Sequence, residues 1–194
     1  EWIVRDQGAM VRQIGYSPEE FAHITIKKEG GFDKAKQTLD KTEVKPSNYH
    51  PIPVKTNSAG EKYSKILNKI FINDYDFKDY DRATNIYWPG NKLGHGREDV
   101  IKFWNSLKSI LSEIKFKIEH VGYLDEPNRN PRASIRWSLE GIHSKDSKDY
   151  GKKTNSNLSF IGINHAELNL YGVIKEWVLF DEVAIWKQIL LNHG

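Results

Sequence analysis

The sequence predicts an α+β domain in which helices lie on one face of a curved antiparallel sheet. Two observations lead there. Apolar residues recur at helical spacing in Glu61 to Asp74 (Tyr63, Ile66, Leu67, Ile70, Phe71) and again in Arg97 to Ser112 (Val100, Phe103, Trp104, Leu107, Ile110, Leu111). After Ile114 the period falls to two, in segments rich in β-branched and aromatic residues: Phe116 to Leu124, Arg132 to His143, Asn157 to Leu170 and Val173 to Phe180. Turn formers separate them, among them Pro127-Asn128-Arg129-Asn130-Pro131 and Tyr171-Gly172, so the strands follow one another as hairpins.

The remaining elements follow from their ends. Asp6 caps a helix that Gly15 stops, with Ala9, Met10, Gln13 and Ile14 on neighbouring turns. Ser17-Pro18-Glu19-Glu20 supplies an N-cap, a proline at the first helical position and acids in the first turn, opening a short helix through Phe21 and Ala22. Residues 30–57 hold few apolar side chains, and Pro46, Pro51 and Pro53 forbid regular helix, so this stretch reads as a linker. Trp88 to Glu98 is a glycine-rich loop leading into the second amphipathic helix. Its Arg97 at a helix start suits an anion, although the spacing is not a nucleotide fingerprint. Asp181 caps a last helix bearing Val183, Ala184, Ile185, Trp186, Ile189 and Leu190.

Residues 1–14 return near the other end of the chain at a constant offset of 175, with Glu, Trp, Asp, Ala, Gln and Ile identical in six of fourteen places. A period this long points to a duplicated domain and not to a solenoid, whose repeats are about 20 to 50 residues. The expected organisation is therefore the C-terminal remnant of a preceding homologous domain at 1–29, the linker at 30–57 and a complete domain at 58–194. Because residue 1 is Glu, the start of the first copy is expected upstream.

Composition narrows the function. The 29 basic and 26 acidic residues are interspersed and leave a net charge of +3, which gives no basic tract for nucleic acid. The absence of Cys removes disulfides, thiolate metal sites and a cysteine nucleophile. No apolar run reaches the roughly 18 residues of a membrane span, and no targeting signal is present, so a cytoplasmic protein with neither membrane nor nucleic-acid partners is expected. His95, His120, His143 and His165 show none of the local spacing of a zinc site, and no cofactor motif occurs, so neither metal nor cofactor is expected.

In Ala133 to His143 the odd positions are apolar, which puts Trp137 and His143 on one face. The same alternation groups Val173, Trp177, Leu179 and Asp181 on one side of the last strand and Ile174, Val178 and Phe180 on the other. A strand apolar on both sides is covered twice, once by helices and once by a cavity or a second subunit. Tyr75, Tyr80, Tyr87 and Trp88 are aromatic enough to line a cavity for a hydrophobic ligand. A carboxylate beside Trp177 in such a cavity would have its pKa raised by desolvation; Asp181 serves equally well as a helix cap.

Arg132 to His143, Gly162-Ile163-Asn164-His165-Ala166-Glu167 and Gly172 to Asp181 together resemble the SnoaL-like branch of the nuclear transport factor 2-like superfamily, which includes polyketide (ester) cyclases. The resemblance runs from about Ser58 to His193. It implies a cone-shaped domain whose bent sheet wraps a pocket, pairing as a homodimer or between tandem domains. It also implies acid–base chemistry on a hydrophobic carbonyl compound without metal or cofactor. Matched position by position, Asp181 and His165 fall where the cyclases carry their acid–base Asp and its neighbouring His. Trp177, His143, Trp137, Tyr87 and Trp88 would then face the substrate. The alternative is a non-catalytic ligand-binding or dimerisation module of the same fold. Gly151-Lys152-Lys153-Thr154-Asn155 departs from the Gly-x-Pro-Thr-Gly common in relatives, and so weakens loop contacts to substrate.

Overall fold

The computed structural model describes residues 4–41, 53–74 and 76–193. In order these form α1 (Gln7–Gln13), α2 (Pro18–Lys28), α3 (Phe32–Lys41), α4 (Ala59–Phe71), a 3-10 turn (Phe77–Asp79), β1 (Tyr80–Trp88), β2 (Lys92–His95), α5 (Gly96–Lys108), β3 (Leu111–Leu124), β4 (Arg132–His143), β5 (Asn157–Asn169), β6 (Gly172–Phe180) and α6 (Glu182–His193). The strands make one curved, unclosed sheet in the order β2-β1-β6-β5-β4-β3. The fold is the expected α+β arrangement. All neighbours run antiparallel except β1 and β6, which lie parallel although 90 positions separate Ile86 from its partner Glu176.

 Along this pair Ile86 lies opposite Glu176 and Tyr87 opposite Trp177, and a bulge between Tyr80 and Asn85 shifts the register at the start of β1.

Local chemistry explains the helices. Ser58 Oγ accepts the Glu61 N–H and opens α4, whose Tyr63, Ile66, Leu67 and Ile70 form the stripe buried on β3 and β4. Ser17 and Glu20 form a reciprocal capping box with Pro18 at the first helical position, so α2 runs on to Lys28, further than the short helix its start suggested. α1 and α2 pack on α6. Arg12 Nη1 donates to Glu182 Oε2 at 2.6 Å, and the Gly90 N–H reaches Asp6 Oδ2 at 3.0 Å, tying α1 to both α6 and the β1–β2 turn.

Four elements differ from the sequence reading. α3 occupies the first part of the stretch read as a linker; its fully buried Ala35 meets Ile26 and Leu191, and that contact is too sparse to give a periodic signal. β1 and β2 replace the loop expected near Trp88. The bulge breaks the alternation of β1, leaving Tyr80, Thr84, Ile86 and Trp88 as its buried set. In β6 Glu167 pairs with Lys175 and Leu168 with Val173, so Ile174 is an extra residue. Val173 therefore joins Val178 and Phe180 on the inner face, and Trp177 and Leu179 turn outward.

The echo between the chain ends holds as a shared helix start. Ala9 N–H donates to Asp6 Oδ1 at 2.8 Å, and Ala184 N–H donates to Asp181 Oδ1 at 3.2 Å, the same residue pair at the same offset. Helix capping accounts for those two identities. The strand half of the expected repeat falls on residues 1–3, outside the described residues.

Candidate active site

The bulge in β6 carries the central feature of the molecule, because it turns Glu176 into the sheet's inner face, where the carboxyl is fully buried. An unpaired carboxylate there would cost several kcal/mol, so partners are required. Tyr63 of α4 donates to Oε1 at 2.5 Å, Tyr80 at the start of β1 donates to Oε2 at 3.1 Å, and Asn164 Nδ2 of β5 donates to Oε1 at 3.0 Å. Asn164 is held in turn by the Trp137 indole of β4, whose Nε1–H donates to Oδ1 at 2.7 Å. Among the described residues the Trp104 Nε1–H of α5 has no hydrogen-bonded partner, and it acts on the same carboxyl from outside bonding geometry.

Electrostatics follow from this enclosure. Burial pushes the Glu176 carboxyl up to about 7, against the lowering pull of Tyr63, Tyr80, Trp104 and Asn164. Burial and the Glu176 charge hold both tyrosines well above the usual phenol range, so they remain neutral donors. The cluster therefore joins a carboxyl poised for proton exchange near neutrality to neutral donors of fixed direction, the residue types that acid–base chemistry needs.

The residues anticipated from the sequence divide between the two faces of the sheet. Trp137 and Trp88 lie inside, in an aromatic core with Trp104, Phe160 and Phe180. His143 is also buried on the inner face, where its Nδ1 meets Thr154 Oγ1 at 3.2 Å, its Nε2 has no partner, and burial lowers its pKa. His165, Trp177 and Tyr87 lie outside. His165 is exposed, pairs across the ladder with Trp177 and meets Ser134 Oγ at 3.1 Å, while Trp177 stacks on Tyr87 with ring centroids 5.4 Å apart.

Asp181 accepts the Val183 and Ala184 N–H groups as the cap of α6, and burial raises its pKa. Of the tyrosines proposed to line a cavity, Tyr80 reaches Glu176 and Tyr75 lies outside the described residues. Among the described residues no three His, Asp or Glu side chains gather as a metal site.

Glu176, Asn164, Tyr63, Tyr80 and Trp104 make up the buried cluster. One signal for it stands in the sequence: Asn164 shares an inward-facing parity with Leu158, Phe160 and Ala166, and a polar residue among apolar ones on a core face needs a partner.

An open groove of about 1020 Å³ lies over the start of β1. Ile66 and Leu168, both core residues, line it as well.

No known family pattern matches the chain, and no curated protein matches it in sequence. Solved structures do match its fold. A SnoaL-like polyketide cyclase from Agrobacterium tumefaciens str. C58 superposes with a TM-score of 0.53 at 13% identity, covering 69% of this chain and 99% of the other. A candidate SnoaL-like polyketide cyclase from Jannaschia sp. CCS1 gives 0.54 at 12% identity, covering 71% and 97%. A candidate polyketide cyclase from Xanthomonas campestris pv. campestris gives 0.55 at 7% identity, covering 68% and 99%. At these identities the likeness is one of fold, the nuclear transport factor 2-like cone. No described helix is long and apolar enough to cross a membrane.

Proposed function

We propose that the domain performs cofactor-independent acid–base chemistry on a hydrophobic carbonyl compound, of the cyclase or isomerase type, with Glu176 as the proton-transferring carboxyl. The observation that carries this reading is the buried Glu176 with its pKa raised to about 7 and three side-chain donors fixed around it. The carboxylate takes a proton from the carbon next to the carbonyl, Tyr63 and Tyr80 hold the carboxyl in place, and the unpartnered Trp104 N–H donates to the enolate oxygen. Substrate enters from the groove once the Ile66 and Leu168 side chains swing aside.

The test is deuterium incorporation next to the carbonyl of small ketones and β-ketoesters in heavy water, followed by NMR. Wild-type protein is expected to speed exchange with a half-maximal rate near pH 7, and Glu176→Gln to slow it by about a hundredfold or more, the usual size of a lost acid–base group. No acceleration by folded wild type over buffer would overturn the reading.

A second reading, a dimerisation or binding module, draws on the outer sheet face. Trp177 and Tyr87 are 40% and 39% exposed as a stacked pair, with Leu179 on the same face of β6, and an aromatic patch of this kind suits a second copy of the domain. Sedimentation is expected to find a dimer that Trp177→Asp converts to monomer without loss of helix signal. A wild type that sediments only as monomer at micromolar concentration removes this reading.

A further inference from the structure

The groove over β1 is lined by a cluster of basic side chains. Lys62, Lys65 and Lys69 project from one side of α4 at positions i, i+3 and i+7, Lys78 comes from the turn before β1, Arg82 from β1 itself and Arg97 from the start of α5. Against these six cations stand two acids, a surplus of four positive charges where the whole chain carries only +3.

The acids neutralise it only in part. Asp79 is engaged by Lys69 at 3.0 Å, Glu61 pairs with Lys65 at 2.9 Å, and Asp81 accepts the Ala83 N–H and the Asn169 amide while facing the charges of Arg97 and Arg82. Lys62, Lys78 and Arg82 form no ion pair among the described residues, and all three are exposed. The rest of the lining is mainly apolar, with Asn169 its one amide side chain. Ile66 and Leu168 form the inner wall, and the β5–β6 turn sets Leu170 and Tyr171 on the rim, 98% and 72% exposed.

Like charges gathered in one concavity repel one another, and an anion relieves that repulsion. A phosphate monoester, with a charge of about −1.5 to −2 and three acceptor oxygens, matches several converging cations better than a single carboxylate does. The exposed Leu170 and Tyr171 add a surface for an apolar body, which inorganic phosphate would leave unused.

We infer that the groove holds an organic phosphate monoester with an apolar body, its phosphate met by Lys62, Lys78 and Arg82 and its body laid against Leu170 and Tyr171. This names a substrate class for the acid–base reading and rests on that reading only in placing a carbonyl end toward Tyr80. Binding itself is independent of catalysis.

The test is titration with n-octyl phosphate, followed by calorimetry and by amide NMR. Saturable binding is expected, with the largest shifts at residues 62, 78, 82 and 168–172 and affinity falling as salt rises. Lys62→Gln combined with Arg82→Gln, both at exposed positions, should weaken binding at least tenfold while the melting temperature holds. Inorganic phosphate and 1-octanol should each bind at least tenfold more weakly than the phosphate ester. Equal binding of inorganic phosphate, or equal binding by the double variant, overturns the proposal. So does binding only to phosphatidylcholine vesicles doped with phosphatidic acid, which would mark a membrane surface. Because neither readout is turnover, a failed exchange assay with intact octyl phosphate binding separates the two ideas.

Discussion

Glu176→Gln is expected to abolish a loss of stability of about 3 kcal/mol that wild type undergoes between pH 4.5 and pH 7. The sign follows from the buried carboxyl. Its native pKa of about 7 lies above the unfolded value of 4.5, so within that window the native protein holds a proton that the unfolded chain has released. Stability is full below 4.5, falls as pH rises and levels off above 7. Glutamine stays neutral throughout and still accepts from Tyr63. Above pH 7 the variant should therefore be the more stable protein, although it lacks the carboxyl to which the proposed function assigns proton transfer. Urea unfolding of both proteins at several pH values measures the difference between them, which cancels the titration of all other groups. Parallel curves would show that Glu176 titrates as it does in the unfolded chain.

Gly162→Ala is expected to destabilise the protein by about 3 kcal/mol, at the upper end of overpacking costs. A Cβ on Gly162 would lie 2.0 Å from Trp137 Cζ2 and 2.4 Å from Cε2, so the indole must move. It has little room to do so. Trp137 is fully buried, packs against Phe116, Phe160 and Phe180, and donates to Asn164. Trp137→Phe in the Gly162→Ala background should recover part of the loss, because the smaller ring vacates the space the methyl enters. Denaturant midpoints of the two single variants and the double variant give the coupling. Strict additivity would mean that Gly162 and Trp137 do not compete for that space.

Most of the fold was legible because helix caps and strand alternation are local signals. Ser17 with Glu20 marks the start of α2, and Arg132 to His143 alternates as far as Ile142 and forms β4 with those bounds. The fold class was legible for the same reason. What escaped depends on partners distant in sequence. β1 is broken by its bulge, β2 is four residues long, and α3 is fixed through a contact with α6. The candidate site was hidden by one residue. Strict alternation assigns Val173 and Trp177 to one side, and the extra residue Ile174 separates them, sending Glu176 inward and Trp177 outward. No local pattern announces such a bulge. Tyr63 and Trp104 carried the same helical periodicity as their apolar neighbours, so nothing in that pattern set them apart as hydrogen-bond donors.

The parallel pairing of β1 with β6 has a consequence in time. β3 to β6 join neighbours in sequence and can zip as successive hairpins, whereas the β1–β2 hairpin must wait until β6 exists before it can join the rest of the sheet. Closing that loop carries an entropy cost that only long-range contacts repay. Two of those contacts are the bonds from Tyr63 and Tyr80 to Glu176, which link the early part of the chain to its last strand. The cluster is thus expected to close late in folding, and mutations within it should speed unfolding more than they slow folding.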